Sequence, residues 1–301
     1  MSFNLGFVKK YREIEESGEK ERFSDMASER IGDLVKELSG SDNQVKQMMI
    51  DKVICFTNVA GGAGATTIAH NVAYEMVNKG LKVILIDMNI TLPNQHLYLD
   101  VAQEIQKDDL VSYLLGKKEL SKCIITNKSI NLLYCNNRTM LDEINCQSEI
   151  AISNFYLMID TLKEYYDCII LDCPMRPDVL LYNHCMFKSD NIYIVIDDGI
   201  NSIVNIERAR RNMAISGLDC YTKARVIMNK KTSVRFTEYP FKKLNIKLVE
   251  VLPFDDDIID NSLKGQIFCE NGASNSKNAI TWAKRIQRLT DKILNMGGYI
   301  E

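Results

Sequence analysis

From residue 51 onward, short apolar runs alternate with longer stretches in which apolar positions return every three to four residues. The apolar runs fall at 52–57, 82–87, 130–135, 168–173, 191–196, 224–229 and 247–252. Each has strand length, and the stretches between them have helical spacing. That alternation predicts an α/β fold, with a mainly parallel, doubly wound sheet and helices on both faces. Ligands of such sheets bind beyond the carboxyl ends of the strands. Residues 1–50 differ in kind. They are rich in charge, show no strand pattern, and place Phe23, Met26, Ile31, Leu34, Val35 and Leu38 near one helix face. Ser39-Gly40-Ser41-Asp42-Asn43 then breaks the helix, so residues 1–50 are expected to form an N-terminal helical extension to a domain spanning 51–301.

The first strand runs into Val59-Ala60-Gly61-Gly62-Ala63-Gly64-Ala65-Thr66-Thr67, and a helical pattern leaves it at Thr67. Strand, glycine-rich turn and helix in this order form the context of a phosphate-binding loop. Glycines let successive backbone N–H groups converge on a phosphate, and the helix N-terminus adds partial positive charge. Gly61, Gly62, Ala63, Gly64, Ala65, Thr66 and Thr67 are therefore the candidate phosphate-binding residues. Thr66 stands where a hydroxyl would ligate Mg²⁺. Ala65 stands where an ammonium would reach the β- and γ-phosphates, and a methyl group cannot do that.

The chain resembles the ParA/MinD superfamily of deviant-Walker P-loop ATPases from about Asp51 to about Asn295. The family loop usually reads K-G-G-V-G-K-T-T, and both of its lysines are alanine here, Ala60 and Ala65. In the family the first lysine crosses a dimer interface to the partner's nucleotide, and the second holds phosphates in its own subunit. The run ending Asp87-Met88-Asn89 resembles a strand that normally closes in Asp-x-Asp, so Asp87 matches a Mg²⁺-site acid and Asn89 replaces the acid at the switch position. Asp172 closes the Walker B strand, where it would hold Mg²⁺ through water. Asn229 matches the residue that reads the adenine edge, and Pro253 lies in the segment that packs by the base. The resemblance thus implies a site for ATP or ADP with Mg²⁺ whose binding is weakened and whose hydrolytic parts are altered. The stretches Leu92 to Asp100 and Leu132 to Asn137 are most similar to the CpaE/TadZ branch, whose members place pilus or secretion machinery. That branch usually has a receiver-like domain of over a hundred residues in front, where about fifty stand here.

Composition narrows the partners. Of 301 residues, 46% are hydrophobic and 26% charged, and the net charge of −3 gives no global pull toward DNA or an anionic membrane. Nine cysteines without a C-x-x-C spacing point to buried thiols in a cytoplasmic protein. No apolar run approaches the roughly 20 residues of a spanning helix.

Several features have an ordinary reading beside a functional one. Lys230 and Lys231, with Arg225 and Arg235, form a basic cluster that is read first as a solvated face and second as a DNA-binding patch. The basic amphipathic segment 279–294 is read first as closing the fold and second as a peripheral membrane anchor. Asp255-Asp256-Asp257 is expected to cap a helix rather than bind metal. His70, His96 and His184 share no ligand spacing, and His184-Cys185 is read as packing. Tyr299 stands without the tyrosine cluster of the related bacterial tyrosine kinases. Two functions remain open: a localisation scaffold with little or no ATP hydrolysis, positioning a pilus or secretion assembly through a protein partner, with a homodimer as a candidate assembly; or an active ATPase for DNA or plasmid partitioning or for cell-division positioning, in which a relocated basic residue completes the site.

Overall fold

The computed structural model describes residues 53–101, 108–126, 130–136, 138–176, 178–215, 223–232, 241–242, 244–271 and 274–296. The helical extension expected over 1–50 lies outside the described residues, as do Arg235 and Tyr299.

All seven apolar runs form strands: β1 (Val53–Asn58), β2 (Val83–Asp87), β4 (Asn131–Leu133), β5 (Cys168–Asp172), β6 (Asn191–Ile196), β7 (Ala224–Lys231) and β8 (Lys247–Pro253). A two-residue strand not expected from the sequence, β3 (Ile125–Thr126), pairs antiparallel with β4 at the sheet edge. It is too short to leave a periodic signal. The described strands lie in the order β3-β4-β2-β5-β1-β6-β7-β8, and every pair except β3–β4 is parallel. The near-continuous apolar character of β1, β2, β5 and β6 follows from this placement, because helices cover both faces and each of these strands is almost fully buried.

One face is closed by α1 (Ala65–Asn78), through Ile68, Val72 and Met76, which share a core with Trp282, Ile286, Leu289 and Ile293 of the last described helix. In chain order the other helices are α2 (Gln95–Tyr98), α3 (Leu110–Leu114), α4 (Leu120–Cys123), α5 (Met140–Asn145), α6 (Glu149–Tyr165), α7 (Leu180–Lys188), α8 (Ile200–Ile215), α9 (Asp256–Leu263), α10 (Phe268–Asn271) and α11 (Lys277–Met296). The second core, on the opposite face, gathers Leu110 and Leu114 of α3, Phe155, Ile159 and Leu162 of α6, and Leu181 and Cys185 of α7.

The basic segment 279–294 lies within α11, and its apolar stripe is buried on the chain's own sheet. Its basic side is tied down too. Glu250 of β8, 3% exposed, accepts hydrogen bonds from Arg288 and Lys292 and lies 3.5 Å from Arg285. These cations hold its carboxyl below the usual range against the opposing effect of burial. Asp255 caps α9 by accepting from the Asp257 N–H at 3.0 Å. The eight described cysteines are free, and all but Cys269 are buried. No described helix is long and apolar enough to cross a membrane.

Candidate functional site

The glycine loop joins β1 to α1 at the carboxyl edge of the sheet. Gly62 and Gly64 take φ values of +79° and +95°, the left-handed region open to glycine. At Gly64 the need is also steric, since a Cβ there would stand 2.4 Å from the Asn229 side-chain nitrogen. Gly64 is the N-cap of α1 and offers no side-chain cap, so the first N–H groups of the helix, which have no intrahelical partner, are left without a capping side chain from that residue. Ala65 is 3% exposed at the first position of the helix.

Beneath the loop, Asp87 and Asp172 end the adjacent strands β2 and β5 as register partners. Both are buried. Asp87 accepts from the N–H groups of Asn94 at 2.7 Å, Gln95 at 2.9 Å and Asn89 at 3.0 Å, so the segment after β2 wraps around one carboxylate. Asn89 closes its own turn by accepting from the Leu92 N–H at 3.3 Å. Asp172 accepts from Gln95 Nε2 at 2.9 Å and from the Thr66 hydroxyl. Burial pushes the Asp87 carboxyl up to about 6 against its three N–H donors. Burial, with the Asp87 charge next, pushes Asp172 to about 7.

Gln95 joins these pieces, and the pattern of the sequence gave it no such role. Fully buried, its amide donates to Asp172 and to the Thr66 carbonyl at 3.2 Å, its carbonyl oxygen lies 3.2 Å from His70 Nδ1, and its own N–H serves Asp87. The signal in the sequence was a glutamine at the start of a helix that has to lie against the sheet; its partners Thr66, His70 and Asp172 are 25 or more residues distant.

On the other side of the loop, Asn229 of β7 donates to the Ala63 carbonyl at 2.9 Å and accepts from Trp282 Nε1 of α11 at 3.2 Å. Its side chain thus braces the loop as well as bordering the pocket. Lys230 donates to the Gly62 carbonyl at 2.7 Å. The basic cluster expected around it is divided by the structure, because Arg225 turns to the Lys223 carbonyl at the far end of β7. Gly61, Gly62, Gly64, Ala65, Thr66, Thr67, Asp87, Asn89, Asp172, Asn229 and Pro253 all line one pocket of about 480 Å³; Ala63 is fully buried behind it.

A family model described as an AAA domain matches residues 51–213. The chain belongs to this family, within the ParA/MinD superfamily. Among curated relatives, the septum site-determining protein MinD of Helicobacter pylori is 24% identical over 254 residues, covering 80% of this chain and 90% of its own length. The MinC:MinD cell division complex of Aquifex aeolicus aligns with a TM-score of 0.65 at 20% identity, over 83% of this chain and 97% of that one. MinD of Pyrococcus horikoshii, solved in complex with Mg-ADP, aligns with a TM-score of 0.64 at 22% identity, over 83% of this chain and 99% of that one.

The donor chemistry here fits the ligand of that relative. Among the described residues no group of three or more His, Cys, Asp or Glu side chains is placed to hold a metal alone. Two buried carboxylates and the Thr66 hydroxyl are instead an all-oxygen set that suits Mg²⁺, an ion that keeps several waters and takes phosphate oxygens as further ligands. Added Cβ atoms at Gly61 and Gly62 would meet nothing within 4 Å, which leaves that stretch of loop open to a ligand. The pocket volume lies within the ordinary range for small-molecule sites, roughly 300–1,000 Å³.

Proposed function

We propose that this member of the superfamily is a localisation scaffold that binds ATP or ADP with Mg²⁺ weakly and hydrolyses ATP little or not at all. It acts in the cytoplasm by positioning a pilus or secretion assembly through a protein partner. The observation that carries this reading is a phosphate cradle kept in shape while Ala60 and Ala65 stand at both lysine positions. Thr66, Asp87 and Asp172 line the pocket as the oxygen donors that Mg²⁺ would take, and Asn229 and Pro253, which the family resemblance assigns to the base, border the same pocket. Ground-state binding draws on backbone N–H groups and the metal, both still available. Turnover draws on charge placed at the transferring phosphoryl group, and that is where a methyl group stands. The pilus or secretion role is supported by the similarity of Leu92 to Asp100 and Leu132 to Asn137 to the CpaE/TadZ branch.

Steady-state phosphate release from the wild type and from Asp172→Ala tests the proposal. The two are expected to be indistinguishable. Robust turnover lost in Asp172→Ala would overturn it in favour of the second reading, an active ATPase for partitioning or division positioning. The observation that bears on that alternative is a relocated ammonium, that of Lys230, which reaches the entering half of the loop and not the helix end.

A further inference from the structure

We infer that Lys230 is the cation that holds a nucleotide's phosphates at this loop, in place of the lysine absent from position 65. The inference rests on the nucleotide-binding reading above and names what makes that binding possible. A bound nucleoside di- or triphosphate brings several negative charges against Asp87 and Asp172, so a cation besides the metal strengthens its binding. Among the described residues that line it, Lys230 is the one lysine or arginine.

Its placement is built rather than incidental. Lys230 takes a φ of +56°, a left-handed conformation that is disfavoured for a residue with a Cβ and persists where the surroundings impose it. It falls directly after Asn229, whose side chain is held between the Ala63 carbonyl and Trp282, and within the register irregularity of β7 on β8 between Met228 and Lys231. The chain therefore turns at the tip of β7 with its next side chain over the loop, and Nζ comes to 2.7 Å from the Gly62 carbonyl. Among the described residues Lys230 forms no ion pair with a carboxylate.

The same geometry sets what this ammonium does not do. Gly62 is on the entering half of the loop, three residues before Ala65, so the charge arrives from the rim and not from the helix end where the family lysine stands. Rim charge attracts the phosphate chain as a whole. It strengthens ground-state binding of ADP and ATP alike and adds no preference for the transition state, which leaves turnover low.

Calorimetric titration of the full chain with Mg²⁺·ADP and Mg²⁺·ATP tests this on the wild type, Lys230→Met, Lys230→Gln and Lys230→Arg, at low and high KCl. Both neutral variants are expected to bind both nucleotides about tenfold more weakly and with a shallower salt dependence, while Lys230→Arg keeps most of the affinity and the salt slope. Neutral variants that bind like the wild type would overturn the inference and leave the proposed function standing. Weaker binding with an unchanged salt slope would also overturn it, because Lys230 would then only shape the loop. A wild type that binds neither nucleotide at millimolar concentration would overturn the nucleotide-binding reading itself, and this inference with it.

Discussion

Asp87 and Asp172 sit side by side as register partners at the carboxyl ends of β2 and β5, two buried carboxylates with no described lysine or arginine paired to either. Their surroundings differ. Asp87 is surrounded by three backbone N–H groups, whereas Asp172 depends on the Thr66 hydroxyl and the Gln95 amide, and burial raises both carboxyls above the ordinary carboxylate range.

Magnesium must displace protons from this pair, so Mg²⁺ binding is expected to strengthen as pH rises from 6 to 8. The gain should flatten once both carboxyls are ionised. Calorimetry with Mg²⁺ and ADP at pH 6, 7 and 8 reads this directly, and an affinity independent of pH would contradict it.

The same shifts act on stability with the opposite sign. Both carboxyls have folded values above the ordinary 3.8, so the native state holds protons that the unfolded chain releases; this stabilisation is complete below about pH 4 and is lost as pH rises through 6 to 7. Asp172→Asn removes the buried charge, and is expected to raise the unfolding free energy of the unliganded protein at pH 8 by on the order of 2 kcal/mol while abolishing the effect of Mg²⁺. Urea melts at pH 5 and pH 8 provide the check: the variant's advantage should shrink at the lower pH.

Gly64→Ala combines two faults, a Cβ at φ +95° and a contact of 2.4 Å with the Asn229 amide. A loss of about 2–3 kcal/mol in thermal or urea unfolding is expected, together with weaker nucleotide binding. Gly61→Ala has space around it and should cost less than 1 kcal/mol.

Glu250→Ala should loosen α11, because one buried carboxylate accepts from two of its basic side chains and lies near a third. The cations are half-exposed and regain water when freed, so the expected cost is about 1–2 kcal/mol rather than that of a fully buried pair. Hydrogen exchange along 277–296 would show whether the loss is local.

The family's nucleotide-locked dimer uses the lysine for which Ala60 stands, so mass by light scattering is expected not to change when ATP and Mg²⁺ are added. A constitutive dimer would be consistent with this, whereas one that forms only with ATP would refute it.

Seven of the eight described strands, their alternation with helices, and the turn that joins β1 to α1 were legible in the sequence, because these rest on local periodicity and on glycine's access to positive φ, while the two-residue β3 was not. The acids at the ends of β2 and β5 were legible for a related reason: each closes an apolar run, and parallel strands deliver their ends to one edge. The helix cap at Asp255 and the inward stripe of α11 were local patterns too. Tertiary structure alone decided what crosses the site. Lys230 lies 168 residues from Gly62, Gln95 lies 77 from Asp172, and Trp282 lies 53 from Asn229. In the sequence Lys230 is one of two adjacent lysines, equally suited to a solvated face, and only the left-handed turn after a braced asparagine aims it at the loop. A lysine's charge is fixed by its chemistry, but what it meets depends on how the sheet, with β6 between β1 and β7, brings the tip of β7 to the loop after β1, and no local sequence pattern records that.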